Sequence, residues 1–329
     1  MTDWITEDDQ PKNRAFNFMA KNISLIGVPS DTGASDRGAT MGPEALRVAG
    51  LSDVLTKLGH SVTDTGNLFG PKNPERKSAN GYRHLKENVI WCKNIQESVF
   101  GEISEGNLPI VLGGDHAMSI GSIAAIARFC DQQKKRLCII WIDAHSDFNT
   151  SQTSPSGNIH GMPVAVAAGY GPQELLSIGH KTPMVDAADI YQVGIRSVDM
   201  KEKHLVIKAG VVTYDMRRID EIGMREAMNQ ILNDVREKDA YIHVSFDVDS
   251  LDPTIAPGVA TTIPGGLTYR EAQLCMEMIH DSGRMISLDL MEINPALDTR
   301  NGTAKLAVDL AASLFGRQIF PPQSQTNGA

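Results

Sequence analysis

The sequence predicts an α/β protein, a doubly wound, mostly parallel sheet flanked by helices in three layers. Short β-branched runs recur along the chain, and several are apolar throughout, as strands covered on both faces must be. Segments with apolar residues at helical spacing lie between them, and strands that alternate with helices close a parallel sheet through crossovers. Four of the runs also end in acidic or imidazole side chains, at the strand ends where a doubly wound sheet forms its sites.

The first strand is "NISLIGVP", near 22–29. "GPEALRVAGLSDVLTKLG" follows as a helical segment with Pro43 near a first helical position, where its missing N–H costs nothing. "DTGNLFGPKNPERKSANGYRH" reads as a polar loop. "LPIVLGG" at 108–114 is a strand, "IGSIAAIARFCDQQKKR" a helix, and "LCIIWI" at 137–142 a strand. "DIYQVGI" at 189–195 is the next strand, "REAMNQILNDVREKD" a helix, and "YIHVSFDVD" at 241–249 and "MISLDLMEI" at 285–293 the last two strands. The runs "KNPERK" and "QQKKR" are solvated surface. There is no internal repeat and no linker that splits the chain. The expected organisation is a polar extension over 1–20, one catalytic domain over 21–318 and a frayed tail over 319–329.

With 329 residues, 41% of them hydrophobic, the chain can bury a sizeable core. Lys and Arg number 31 against 40 Asp and Glu, a formal charge of −9, which argues against nucleic acid or an anionic membrane as a partner. Cys92, Cys130, Cys138 and Cys275 form no C-x-x-C pair, and three sit in apolar stretches as small buried hydrophobes. The start is acidic and polar, without an apolar signal segment, and no apolar run approaches transmembrane length. A cytoplasmic protein is expected.

The chemistry concentrates in four motifs. "VLGGDH" ends in Asp115 and His116, "IIWIDAHSD" carries Asp143, His145 and Asp147, "VSFDVDSLDP" carries Asp247 and Asp249, and "SLDLMEINP" carries Asp289 and Glu292. Alternate residues of a strand point to one face, so 143 can converge with 145, and 247 with 249. A single aspartate at a strand end is usually a turn or cap residue, and Asp252 before Pro253 is read as one. His243 is read as a packed, hydrogen-bonded histidine. Two imidazoles and four carboxylates exceed what one structural zinc takes, roughly four ligands rich in Cys or His. Such a set suits harder divalent ions in a two-metal site, with manganese first and iron, cobalt or nickel as alternatives.

These motifs, in their order and spacing, resemble the arginase, or ureohydrolase, family, and the resemblance runs from "GASDRGATMGPEALR" to about Phe315. It implies an arginase-like three-layer α/β/α fold and two Mn²⁺ per chain. His116, Asp143, Asp147 and Asp247 would bind one ion. Asp143, His145, Asp247 and Asp249 would bind the other, with Asp143 and Asp247 bridging and a hydroxide between the ions. The implied enzyme is a hydrolase of linear amidines that converts L-arginine to urea and L-ornithine. Asp147, His160 and Glu292 would be catalytic, His160 as proton shuttle and Glu292 as the carboxylate that holds the guanidinium through paired hydrogen bonds. Asn149, Ser156 and Asn158 would read the substrate α-carboxylate, Asp199 and Glu202 the α-amino group, and Thr261 would also bind substrate.

Two departures from the family pattern fall near the substrate end: "ATT" at Ala260–Thr262, and Ser197 and Met200 in "RSVDM". They leave agmatinase or guanidinobutyrase as the alternative function. A zinc deacetylase-like enzyme of the same fold would leave His116 surplus, and a catalytically dead binding module would not keep all six ligand positions filled. The only expected partners are a small guanidino substrate and further copies of the chain. "GGLTYREA" resembles the family's trimer segment, where Arg270 and Glu271 would join intersubunit ion pairs in a homotrimer or hexamer.

Overall fold

The computed structural model describes residues 20–320. The expected extension over 1–20 and tail over 319–329 fall almost wholly outside the described residues. Eight strands form one sheet: β1 (Asn22–Gly27), β2 (Ser61–Asn67), β3 (Leu108–Leu112), β4 (Leu137–Ile142), β5 (Ile190–Ile195), β6 (Val212–Asp215), β7 (Tyr241–Asp247) and β8 (Met285–Met291). The helices are α1 (Gly42–Val48), α2 (Leu51–Lys57), α3 (Leu85–Ser104), α4 (Ser119–Gln132), α5 (Pro163–Ala167), α6 (Gln173–Leu176), α7 (Met200–Ala209), α8 (Met216–Ile222), α9 (Met224–Glu237), α10 (Tyr269–Ser282) and α11 (Gly302–Leu314). The strand order is β2-β1-β3-β8-β7-β4-β5-β6, and every pairing is parallel, where a mostly parallel sheet was expected.

Period-two alternation sends each strand's side chains into two apolar layers. Ile140 and Ile142 of β4 and Val244 and Phe246 of β7 pack with Leu46, Ile231, Met276 and Leu310 of α1, α9, α10 and α11. On the other face, Ile139 and Trp141 pack with Ile95 and Ile123 of α3 and α4. All four cysteines are buried and unpaired.

Three expectations need correction. The edge strands β2 and β6 were not anticipated, and Asp64–Asn67, read as the start of a loop, closes β2. β2 reads SVTDTGN and none of its residues is buried, so it carries no apolar signal. The helical stretch after β1 is two helices, because Gly50 adopts φ 87° between α1 and α2. The last two strands are shorter than read, ending at Asp247 and Met291, where the chain turns out to build the site.

β7 breaks the two-layer pattern. Its Ile242, Val244 and Phe246 enter one apolar layer, while His243, Ser245 and Asp247 face the other side and are buried. On the neighbouring strand, Ser287 and Asp289 lie in register with His243 and Ser245. An apolar side chain buried at each position would contribute about 1.5–3 kcal/mol. Holding polar groups there instead builds a hydrogen-bonded layer beneath the carboxyl edge of the sheet. His243 bonds Ser287 Oγ at 2.8 Å and Asp289 Oδ2 at 3.2 Å, the packed histidine that was expected.

Candidate active site

The loops after the four central strands, β3, β8, β7 and β4, converge at one end of the sheet. After β3 the chain turns through Gly113 and Gly114. A Cβ on Gly114 would lie 1.8 Å from the Ser30 carbonyl oxygen, so only glycine fits. Asp115 then accepts from Gly33 N at 2.8 Å and Ala117 N at 3.0 Å, which fixes the turn that presents His116. Burial pushes the Asp115 carboxyl up to about 7, and the nearby Glu292 charge adds to the rise.

His116 is oriented from behind. Its Nε2 lies 2.9 Å from Ser245 Oγ, and its ring stacks on Trp141 with centroids 4.0 Å apart. Its Nδ1 therefore faces Asp247 Oδ2 at 3.0 Å, Asp143 Oδ2 at 3.1 Å and Asp147 Oδ2 at 3.4 Å. His145 Nδ1 lies 3.0 Å from Asp249 Oδ2 and 3.5 Å from Asp143 Oδ1. Two groups of three donors emerge, His116–Asp143–Asp247 and Asp143–His145–Asp249, each with its donor atoms within 4.8 Å of one another. Asp143 is common to both. Its Oδ1 also accepts from His145 N at 2.7 Å and its Oδ2 from Trp141 Nε1 at 2.9 Å.

The chemistry of this donor set asks for a multivalent cation. Asp143, Asp147, Asp247 and Asp249 are all buried, and among the described residues none is paired with lysine or arginine. Burial and mutual repulsion raise the carboxyl pKa of Asp147, Asp247 and Asp249. Burial opposes the charge on His145, but Asp249 and Asp143 outweigh it and raise the imidazolium to about 12. One imidazole N–H cannot satisfy three carboxylates at once. Metal ions with His and Asp ligands relieve the desolvation and the repulsion together.

Glu292 follows β8 and is buried. Its Oε1 accepts from His116 N at 2.8 Å and meets His160 Nδ1 at 2.9 Å, while its Oε2 has no hydrogen-bond partner among the described residues. Burial disfavours the charges on both side chains, but their contact outweighs it, raising the His160 pKa and lowering that of Glu292. Glu292 and Asp147 both adopt left-handed backbone conformations, at φ 64° and 49°.

These groups line a cavity of about 260 Å³. Asn149, Ser156, Asn158, Asp199, Glu202 and Thr261 line it too, so every anticipated site residue reaches the cavity except Asp143, which is fully buried beneath. Some of these side chains are already committed. Asn149 Nδ2 donates to Asp199 Oδ2 at 3.0 Å, and its Oδ1 has no partner among the described residues. Both Glu202 oxygens accept backbone N–H groups, from Phe148 at 2.8 Å and Asp199 at 3.0 Å, closing a capping box at the start of α7. Burial still pushes the Glu202 carboxyl up to about 7. Thr261 Oγ1 donates to Asp249 Oδ2 at 3.0 Å. Asp289, counted among the polar strand ends, lies away from the cavity with Ser122 and His243.

Sequence reasoning missed the supports: Ser245, Trp141 and the turn-holding role of Asp115. A signal existed for two of them. Ser245 shares strand parity with Asp247, and Trp141 with Asp143.

Fold and site together define a metal-dependent hydrolase built on a parallel α/β/α sheet. The arginase family model matches residues 21–316, and the chain belongs to that family. It is 44% identical over 300 residues to the arginase of Brucella melitensis, covering 91% of this chain and 97% of that one. The structure of the Bacillus caldovelox arginase is 40% identical, with a TM-score of 0.87, over 91% of this chain and 100% of the other. That of Entamoeba histolytica arginase in complex with L-ornithine is 32% identical, with a TM-score of 0.84, over 91% and 99%.

Proposed function

We propose that the cavity hydrolyses the guanidinium group of L-arginine to urea and L-ornithine with two divalent ions bound, manganese being the resident metal. The carrying observation is the unpartnered Oε2 of the buried Glu292, in the same cavity as the imidazoles and carboxylates that would hold the ions. His116, Asp143, Asp147 and Asp247 would hold one ion, and Asp143, His145, Asp247 and Asp249 the other. When bound, such a pair acidifies water toward neutral pH and offsets the carboxylate charge.

The remaining work falls to the chain. Glu292 Oε2 accepts guanidinium N–H donors, and a charge-assisted bond to a carboxylate oxygen holds the group in place. Its Oε1 stays on His116 N and His160 Nδ1, so the clamp cannot rotate. As the bond from the guanidinium carbon to the substrate Nε breaks, the leaving nitrogen needs a proton. His160 donates from Nδ1 to Glu292, which supports the imidazolium, and delivers the proton on its other ring nitrogen, Nε2. At the far end, Asn158 and Ser156 meet the α-carboxylate. Asn149, expected there too, spends its Nδ2 on Asp199 and offers its carbonyl with Asp199 to the α-amino group. Glu202, expected at that group, has both oxygens on backbone N–H groups and supports the loop instead.

An amine tail alone, as in agmatine, would leave the Asn158 amide unpaired, so L-arginine is the expected substrate. We further propose a homotrimer or hexamer and a cytoplasmic location. All four cysteines are unpaired, and among the described residues no helix is long and apolar enough to cross a membrane. The test is urea release from L-arginine, agmatine and 4-guanidinobutyrate by metal-stripped enzyme reconstituted with Mn²⁺. Equal or faster turnover of agmatine or 4-guanidinobutyrate would overturn the substrate assignment.

A further inference from the structure

We infer that Arg83, which does not line the cavity, is a specificity-setting positioning residue that aims the Asn158 amide at the substrate α-carboxylate. The inference rests on the carboxylate role proposed for Asn158.

Asn158 sits on the 151–158 loop, and that loop is held by a second one, 76–84. Arg83 N donates to the Gly157 carbonyl at 2.7 Å. Gly157, at φ 74°, approaches so closely that a Cβ there would stand 3.0 Å from the Gly81 oxygen. The side chains continue the contact. Arg83 Nε donates to Asn158 Oδ1 at 2.8 Å, and Ser35 Oγ donates to the same oxygen at 2.8 Å. A guanidinium can only donate, so the amide cannot be the other way round. With Oδ1 taken twice, Nδ2 is left on the cavity side, 3.4 Å from His160 Nε2. One of its two hydrogens can serve His160 once Nε2 has given up its proton, and the other is free for a substrate anion.

Charge makes the same point independently. Among the described residues, six acidic side chains line the cavity and no lysine or arginine does. That lining favours the guanidinium and opposes a carboxylate at the other end of the same molecule. Arg83 makes no ion pair among the described residues, and besides Asn158 its guanidinium donates to the Arg76 carbonyl at 3.2 Å, so its charge stands behind Asn158 without a carboxylate partner. Arg83 thus orients the donor and supplies the field that an α-carboxylate needs. A substrate with no carboxylate uses neither.

The experiment compares kcat and KM for L-arginine and agmatine in Mn²⁺-loaded wild type, Arg83→Met, Arg83→Lys, Asn158→Ala and the double variant Arg83→Met with Asn158→Ala. Arg83→Met is expected to raise KM for L-arginine about tenfold, the scale of one charge-assisted hydrogen bond, with kcat within about twofold. Agmatine kinetics should stay put, Arg83→Lys should restore part of the preference, and Arg83→Met should add little once Asn158 is Ala. Equal losses on both substrates, an unchanged KM for L-arginine, or additive losses in the double variant would overturn the inference. If Arg83→Met does not fold, Arg83→Lys and Ser35→Ala carry the test, and each must lower the arginine preference alone. A normal preference in Asn158→Ala would instead refute the carboxylate reading of Asn158, and this inference with it. A collapsed preference in Asn158→Ala beside an unaltered Arg83→Met would sink only the role of Arg83.

Discussion

His160 Nδ1 and Glu292 Oε1 lie 2.9 Å apart, and the same Glu292 oxygen accepts the backbone N–H of His116 at 2.8 Å. One carboxylate oxygen thereby joins the proposed proton donor to the first proposed metal ligand, and the other is left for substrate. Glu292→Gln should keep the Oε1 contacts and place an NH₂ group where guanidinium donors need an acceptor. We expect kcat/KM for L-arginine to fall by roughly 10²–10³-fold with metal content unchanged, by the scale of a lost charge-assisted pair. Kinetics beside elemental analysis would show it, and metal loss in the variant would contradict it.

His160→Ala should lower kcat, retain bound metal, and respond to added imidazole as an external proton donor. A wild-type kcat across the pH range in this variant would remove His160 from the reaction.

Asp247→Ala should leave a soluble protein with less metal per chain and most of its activity gone. Wild type loaded with Mn²⁺ at 100 times its Kd should be stabilised by about 2.7 kcal/mol for each ion bound, relative to stripped protein. Thermal melts with and without chelator measure that difference, and the variant should lose much of it.

Glu202 gives a pH dependence that can be signed. Burial raises its folded-state pKa from the ordinary 4.5 to about 7, so the folded state holds this proton more tightly than the unfolded one. The stability that goes with that proton is fully present below about pH 4.5 and is lost as pH rises through about 7. Measured against Glu202→Gln, wild type should lose up to about 3 kcal/mol between those limits. Denaturant titrations at pH 4.5, 6 and 8 that show a constant difference would contradict the shift.

Arg270 is exposed and donates to Gln273 of its own helix, while Glu271 closes a capping box with Thr268. If Arg270 also reaches a second copy, Arg270→Ala should weaken assembly by under about 1 kcal/mol, as an exposed ion pair does. Light scattering over a dilution series tests this, and a monomeric wild type would end the assembly proposal.

The metal motifs were legible because each follows an apolar run, but only Asp247 of the six ligands lies within a strand. Asp143, His145 and Asp147 follow β4, and His116 and Asp249 sit in 3₁₀ turns after β3 and β7, so the turns complete a convergence that strand parity suggested. The edge strands were not legible, since β2 buries none of its residues and leaves no apolar pattern. The break between α1 and α2 rests on one glycine inside an otherwise helical pattern. Arg83 escaped notice for a different reason. Its partner Asn158 lies 75 residues away, and nothing in a linear reading joins a polar loop before α3 to the loop after β4.

Asp147 and Glu292 hold left-handed backbone angles that cost an ordinary side chain about 1–2 kcal/mol each. Glycine at either position would relax the backbone and delete the chemistry in the same step. Breeding this protein for heat tolerance alone, with no check on urea release, would therefore reward its own disarmament: sturdier descendants, progressively blind to their substrate.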